Sequence, residues 1–238
     1  MLSKNEVKYI QSLCQKRQRL QEGLFLAEGV KLVDELLQSD FRIRKLYAAE
    51  AWIRGHPGVE AVQVTDDELA RISGQASPNQ VLAVVEQKQP PRLPLWKGRL
   101  SLALDGIQDP GNLGTIIRIA DWFGIGQIMA SEDTVDCYNP KVIQSTMGSF
   151  LRVTVWYGKL ETALSAAGVP VLGALLDGKN LYVSGKRSEG ILLIGNESKG
   201  IQPALLPLVT HPITIPRIGG AESLNAAVAT GIILSHIV

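Results

Sequence analysis

The chain is poor in the residues that build metal centres and disulfide frameworks. Its 238 residues include two cysteines, Cys14 and Cys137, and three histidines, His56, His211 and His236. Two cysteines far apart make neither a disulfide scaffold nor a metal clip, so free thiols in a reducing compartment are expected. The histidines lack ligand spacing, and no metal site is expected. Aromatic residues are 5% of the chain and the net charge is +1, so no global basic field announces a polyanion. The longest mostly apolar run, residues 226–238, is too short to span a bilayer. The N-terminus is charged where a signal peptide would be apolar. These absences point to a cytoplasmic protein without a membrane partner.

What is present is ordinary globular material, 45% hydrophobic and 20% charged. The length suits one large domain or two modest ones. Charge is unevenly placed. Residues 1–21 carry Lys4, Lys8, Lys16, Arg17 and Arg19 against Glu6, a local balance of +4. That stretch reads either as a phosphate-gripping helix or as a solvated face.

Helix and strand signals divide the chain in two. Ser3 to Glu6 has a capping-box pattern, followed by Val7, Ile10, Leu13 and Cys14 at helical spacing. A helix is expected over residues 29–39, and a second capping box spans Thr65 to Glu68. Strands are expected at 43–48, 62–64 and 81–85. Residues 1–88 thus form a small α/β domain, and the proline-rich stretch at 89–98 reads as a linker. In residues 99–238, strands at 100–105, 127–130, 152–155, 170–175, 191–194 and 212–215 alternate with helices at 113–123, 140–147, 160–167, 203–208 and 224–237. This alternation predicts an α/β domain with a mostly parallel sheet and helices on both faces.

Three polar glycine loops each follow an apolar strand: Asp105 to Gly114, Gly195 to Gly200, and Pro216 to Asn225. In parallel sheets ligands bind outside the carboxyl ends of the strands. None of the loops has the dinucleotide or phosphate-loop glycine pattern. Arg118 lies in an otherwise apolar helix, where a buried or half-buried guanidinium requires an anion or carboxylate. Asp105 or Asp121 would serve as a plain ion-pair partner. Glu197 suits hydroxyls or a cation, or merely caps a turn. Ser223 and Asn225 at a helix start read first as N-caps.

Taken together, the loops resemble the motifs of the SpoU (TrmH) family of RNA ribose 2′-O-methyltransferases, within the SPOUT superfamily. The matching residues are Asn112, Gly114 and Arg118; Gly195, Asn196, Glu197 and Gly200; and Ile215, Pro216, Gly219, Ser223, Leu224 and Asn225. The resemblance covers roughly residues 100–238, and Ser145 to Ser149 looks like the family's small-residue helix before a strand. Residues 19–33 and the helix after them resemble the L30e-like substrate-binding domain of rRNA-directed members.

The resemblance implies a deep trefoil knot, an exception to the usual threading rules. It implies S-adenosylmethionine as cofactor, contacted by Gly195, Ile215 and Leu224, and a homodimer. Asn112, Arg118, Glu197, Ser223 and Asn225 are implied around the reacting ribose. Arg217 stands where many members have methionine, and Ala226-Ala227 where Val-Ser is frequent. The expected function is methylation of a ribose 2′-hydroxyl in structured RNA, rRNA favoured over tRNA. The alternative is a non-catalytic RNA-binding protein on the same scaffold.

Overall fold

A computed structural model describes residues 2–90 and 93–238. The chain divides into two compact units. Residues up to 89 together with 138–151 form the first, and residues 90–137 and 152–238 form the second. Pro91 and Arg92, within the expected linker, lie outside the described residues.

The first unit is built on β1 (Leu24–Glu28), β2 (Ile43–Ala48), β3 (Val62–Gln63) and β4 (Val81–Glu86), in the order β1-β4-β2-β3. Strands β1 and β2 run antiparallel to β4, and β3 runs parallel to β2. Successive side chains of a strand face opposite sides, so one sheet serves two cores. Phe25, Ala27, Leu46, Ala48, Ala83 and Val85 share one core with Val33 and Leu36 of α3 (Val30–Leu37) and Trp52 of α4 (Glu50–Gly55). Leu24, Leu26, Tyr47, Leu82 and Val84 share the other with Val7 and Ile10 of α1 (Lys4–Ser12) and Leu69 and Ile72 of α5 (Asp66–Ile72).

Both expected helix starts form. Thr65 and Glu68 make the full reciprocal capping box. Ser3 caps α1 by accepting from the Glu6 N–H. The Glu6 carboxylate turns away from the cap and accepts from Lys45 Nζ at 2.6 Å and Tyr47 Oη at 2.7 Å. The basic N-terminal stretch is two helices, α1 and α2 (Lys16–Glu22). Arg19 of α2 is buried, with Nη1 donating to the carbonyls of Leu13 and Cys14. It therefore fastens the α1–α2 turn and is withdrawn from any phosphate-gripping surface, while Lys4, Lys8, Lys16 and Arg17 are exposed.

The second unit carries a six-stranded sheet in the order β10-β8-β9-β5-β6-β7, parallel throughout. Its strands are β5 (Leu100–Leu104), β6 (Gln127–Ala130), β7 (Thr154–Tyr157), β8 (Val171–Asn180), β9 (Gly190–Ile194) and β10 (His211–Thr214). β7 starts two residues later than its pattern suggests, at Thr154, which pairs with Gln127 at the start of β6, while Arg152 makes a forked ion pair with Asp121. Helix α6 (Pro110–Trp122) packs on the last helix, numbered α9 below (Ala226–Ile237), where Ile119 approaches Gly231. Leu160 and Leu164 of α8 (Leu160–Ser165) share a core with Ala103, Ile191 and Leu193.

Helix α7 (Pro140–Thr146), which the alternation pattern assigns to the second domain, belongs to the first unit. Ile143 and Phe150 enter the core around Phe25, and the Phe25 and Phe150 rings meet edge-on at 5.7 Å. Tyr138 Oη accepts from the Lys88 N–H and donates to its carbonyl.

Two expected outcomes follow from this packing. A Cβ at Gly178 would lie 2.3 Å from the Ile213 carbonyl carbon, whereas one at Gly185 meets nothing within 4 Å. Urea titration should show Gly178→Ala losing about 3 kcal/mol or more and Gly185→Ala little. The hydrogen bond from Lys45, then that from Tyr47, holds the Glu6 carboxyl below its ordinary value of 4.5. Its stabilisation is therefore full above that pH and is lost as pH falls through the lowered folded value. Glu6→Gln should lose up to about 1 kcal/mol at pH 7, given partial exposure, and the gap to the unmodified protein should close in acid.

Candidate active site

The first, second and third polar loops leave the carboxyl ends of β5, β9 and β10. From β5 the chain proceeds to β6 and β7 on one side, and later fills β9, β8 and β10 on the other. The β5/β9 boundary is thus a topological switch point, where the loops of a parallel sheet part and leave a crevice.

The first loop is anchored at Asp105, which ends an apolar strand and is buried. Its two carboxylate oxygens accept from the Gln202 N–H and from Gln202 Nε2, each at 2.7 Å. Burial raises the Asp105 carboxyl above its usual range, and Asp133 adds to this against the Gln202 hydrogen bonds. Asp109 then caps α6 by accepting from the Asn112 N–H at 2.8 Å.

The second loop closes on itself. The Asn196 and Gly200 N–H groups each donate to the other's carbonyl, at 3.0 and 2.9 Å. Asn196 Oδ1 accepts from the N–H groups of Ser198 and Lys199, and its Nδ2 donates to the Gly106 carbonyl at 2.7 Å. Gly195 is required by this closure, since its Cβ would sit 2.3 Å from the Gly200 carbonyl carbon. The resemblance matches Asn196 without assigning it a role; the structure makes it the clasp of this loop. The only local signal for the Asp105–Gln202 pair is an acid directly after an apolar strand.

The three loops meet at Asn112. Its Nδ2 donates to Glu197 Oε1 at 2.5 Å, and its Oδ1 accepts from Asn225 Nδ2 at 2.8 Å. Asn225 also caps α9, with Oδ1 accepting from the N–H groups of Ala227 and Val228. Cap and site are therefore one residue, because an amide has an acceptor end and a donor end.

Arg118 is exposed on α6, on the same face as Thr115 and Trp122. This corrects the expectation of a buried or half-buried guanidinium: the inward positions are Leu113, Gly114, Ile116, Ile117 and Ala120. Neither plain partner takes it, since Asp121 is paired with Arg152 and Asp105 with Gln202. Ser223 and Leu224 are exposed in the third loop, and Ile215 and Gly195 are partly buried. Asn112, Glu197 and Asn225 are brought into direct contact, and Arg118 and Ser223 have no hydrogen bond to them among the described residues.

Among the described residues, 216–224 make no backbone–backbone hydrogen bond, and Ile218 and Leu224 are exposed apolar side chains there. Apart from the Ala221 carbonyl, which accepts from Arg217 Nη1 at 3.2 Å, backbone groups outside any ladder and beside apolar side chains fit a ligand with a flat ring and polar edges. S-adenosylmethionine has that character through its adenosine.

Comparison with known proteins identifies the family. Residues 99–235 match the SpoU rRNA Methylase family, and residues 4–83 match the MRM3-like substrate binding domain. A 23S rRNA (guanosine(2553)-2'-O)-methyltransferase of Bacillus subtilis (strain 168) is 33% identical over 243 residues, spanning 99% of this chain and 97% of its own. The AdoMet-bound rRNA methyltransferase from Sinorhizobium meliloti aligns with TM-score 0.87 at 32% identity, covering 98% of this chain and 94% of that one. The SpoU methyltransferase AviRb from Streptomyces viridochromogenes, in complex with AdoMet, aligns with TM-score 0.84 at 28% identity over 98% of this chain and 96% of that one. The chain belongs to the SpoU rRNA methylase family.

The double duty of Asn225 has a measurable consequence. Serine is as good an N-cap as asparagine but has no amide to offer Asn112. Asn225→Ser should stay within about 0.5 kcal/mol of the unmodified protein, and Asn225→Ala should lose about 1 kcal/mol, read by chemical denaturation.

Proposed function

We propose that this protein methylates a ribose 2′-hydroxyl of RNA with S-adenosylmethionine as donor, and that its substrate is rRNA rather than tRNA. The observation that carries the reading is the Asn225–Asn112–Glu197 hydrogen-bond chain, at the switch point of the sheet and beside a loop that makes no backbone–backbone hydrogen bond among the described residues. The preference for rRNA rests on the relatives named above and on the MRM3-like substrate binding domain over residues 4–83.

Bound S-adenosylmethionine supplies a methyl group made electrophilic by its sulfonium, and Gly195, Ile215 and Leu224 would hold it. Asn112, Glu197, Ser223 and Asn225 orient the ribose around that methyl. Each end of the Asn112 amide is already engaged, so the Glu197 carboxylate is presented in one orientation, and preorganised groups need no rearrangement at the moment of reaction. A hydroxyl is a weak nucleophile until its proton leaves. Arginine resists deprotonation in proteins, so Arg118 is not the base. Its exposed guanidinium, with no ion-pair partner among the described residues, binds the adjacent phosphate and stabilises the developing alkoxide, and a phosphate oxygen or water takes the proton.

The same reading includes a homodimer, a trefoil knot and a cytoplasmic location. The dimer is supported by apolar side chains left in water on the second unit, with Trp122 at 85% and Val228 at 50% exposure. Sedimentation should return twice the 25.8 kDa chain mass. The knot is supported by the match of residues 99–235 to the SpoU rRNA Methylase family. The location is supported by a content of only two cysteines, too few for a disulfide framework; among the described residues no helix is long and apolar enough to cross a membrane.

Mapping of 2′-O-methyl positions in rRNA and tRNA, from cells with and without this protein, should show one rRNA position lost. Loss of none would sink the reading, and absence of S-adenosylmethionine binding by calorimetry would favour a non-catalytic RNA-binding protein. Arg118→Lys should reduce turnover about tenfold or more with cofactor affinity unchanged, because a lysine point charge does not reproduce the guanidinium fork.

A further inference from the structure

The first unit has a half-open hollow of about 520 Å³ that the catalytic reading does not use. Leu24 contributes to its lining, with Tyr9, Glu22, Arg44, Lys45 and Glu86 around it. A small-molecule site has roughly 300–1,000 Å³, so one nucleotide fits.

The chemistry of the lining is selective. Tyr9 is 39% exposed and offers an aromatic ring. Arg44 is tied to Glu86 at 3.2 Å, and Lys45 to Glu6. Glu22 accepts from Tyr9 Oη and from Gln18 Nε2, at 3.3 and 3.0 Å. Exposed ion pairs of this kind contribute little to stability, so a ligand displaces them at small cost. An aromatic ring and a guanidinium plane are surfaces on which an unstacked base lies. Carboxylates accept and do not donate when ionised. They suit a base edge with adjacent donors, and guanine, with its N1–H and N2 amino group, is the base that has one. Uracil's single N–H lies between two carbonyl oxygens, which a carboxylate repels. Arg42, 3.7 Å from Glu86, adds a further cation near the rim for a phosphate.

We propose that this cavity receives an unstacked guanosine of an RNA strand, with the base against Tyr9 and Arg44 and its donor edge toward Glu22 and Glu86. The assignment rests on the reading of the protein as RNA-directed and locates where the first unit reads its substrate.

The test uses the full chain and labelled heptaribonucleotides, UUUGUUU against UUUUUUU and UUUAUUU, with binding followed by fluorescence anisotropy. The guanosine strand should bind about fivefold or more tightly than the other two. Tyr9→Ala and Arg44→Ala should each remove most of that preference, Tyr9→Phe should keep it, and calorimetric affinity for S-adenosylmethionine should be unchanged in all three. Glu22→Gln combined with Glu86→Gln should erase discrimination between guanosine and adenosine while general binding persists. Equal binding of the three strands, or a Tyr9→Ala variant that discriminates as before, would overturn the proposal. So would free GMP binding at the cavity as tightly as the strand, which would assign it to a free nucleotide. Cofactor calorimetry and methylation mapping report on the enzyme separately, so a failed pocket and a failed enzyme assignment give different results.

Discussion

The side-chain amide of Asn112 is the link on which the candidate site depends. It has one donor end and one acceptor end in use, and its partners, Glu197 and Asn225, come from loops far along the chain. Each loop is secured separately before it reaches that amide. Asp109 holds the start of α6, Asn196 closes the second loop and ties it to Gly106, and Asn225 caps α9. Asn112 therefore joins three structures that are already firm. A small relay held this way keeps its geometry without large buried surface, which suits a site that must stay open to an RNA strand.

The first unit follows a different logic. Its four-stranded sheet packs on both faces, since alternate residues of β1, β2 and β4 enter separate cores. A second stretch of chain, residues 138–151, completes one of those cores through Ile143 and Phe150. The unit is thus not a contiguous block of sequence, and the boundary at the proline-rich stretch separates only the first two of four segments. The surface left over is a mixed one, in which Tyr9, Arg44 and Glu86 line a cavity.

Much of this was legible in the residues. The Thr65–Glu68 capping box formed because both its bonds are local. The runs 43–48 and 127–130 became strands at those residues, because β-branched and apolar clusters there have turn residues on either side. The pattern at Ser3 was realised by half, because the carboxylate of Glu6 found Lys45 and Tyr47 across the fold. Strand β1 and helix α4 carried no sufficient local signal, and long-range pairing and core packing fix them. Arg118 and Arg19 were misplaced in opposite directions. A guanidinium in an apolar helix can face water if its position falls outside the buried stripe, as Arg118 does, and one in a basic run can be drawn inward by carbonyls left open at a helix end, as Arg19 is.

By itself the sequence determined the α/β class, the alternation that yields a parallel sheet, the glycine loops at strand ends, and the family those loops belong to. These properties rest on local periodicity, on backbone preference and on short motifs, all of which act within a few residues. Tertiary structure alone decided that the Asn225 side chain both caps α9 and reaches Asn112, that Asp105 is spent on Gln202, that Arg118 stands without an internal partner, and that residues 138–151 fold into the first unit. Each of these is a choice among competing partners far apart in the chain. Only folding brings the competitors within hydrogen-bonding or packing distance, and so only the folded chain reveals which of them prevails.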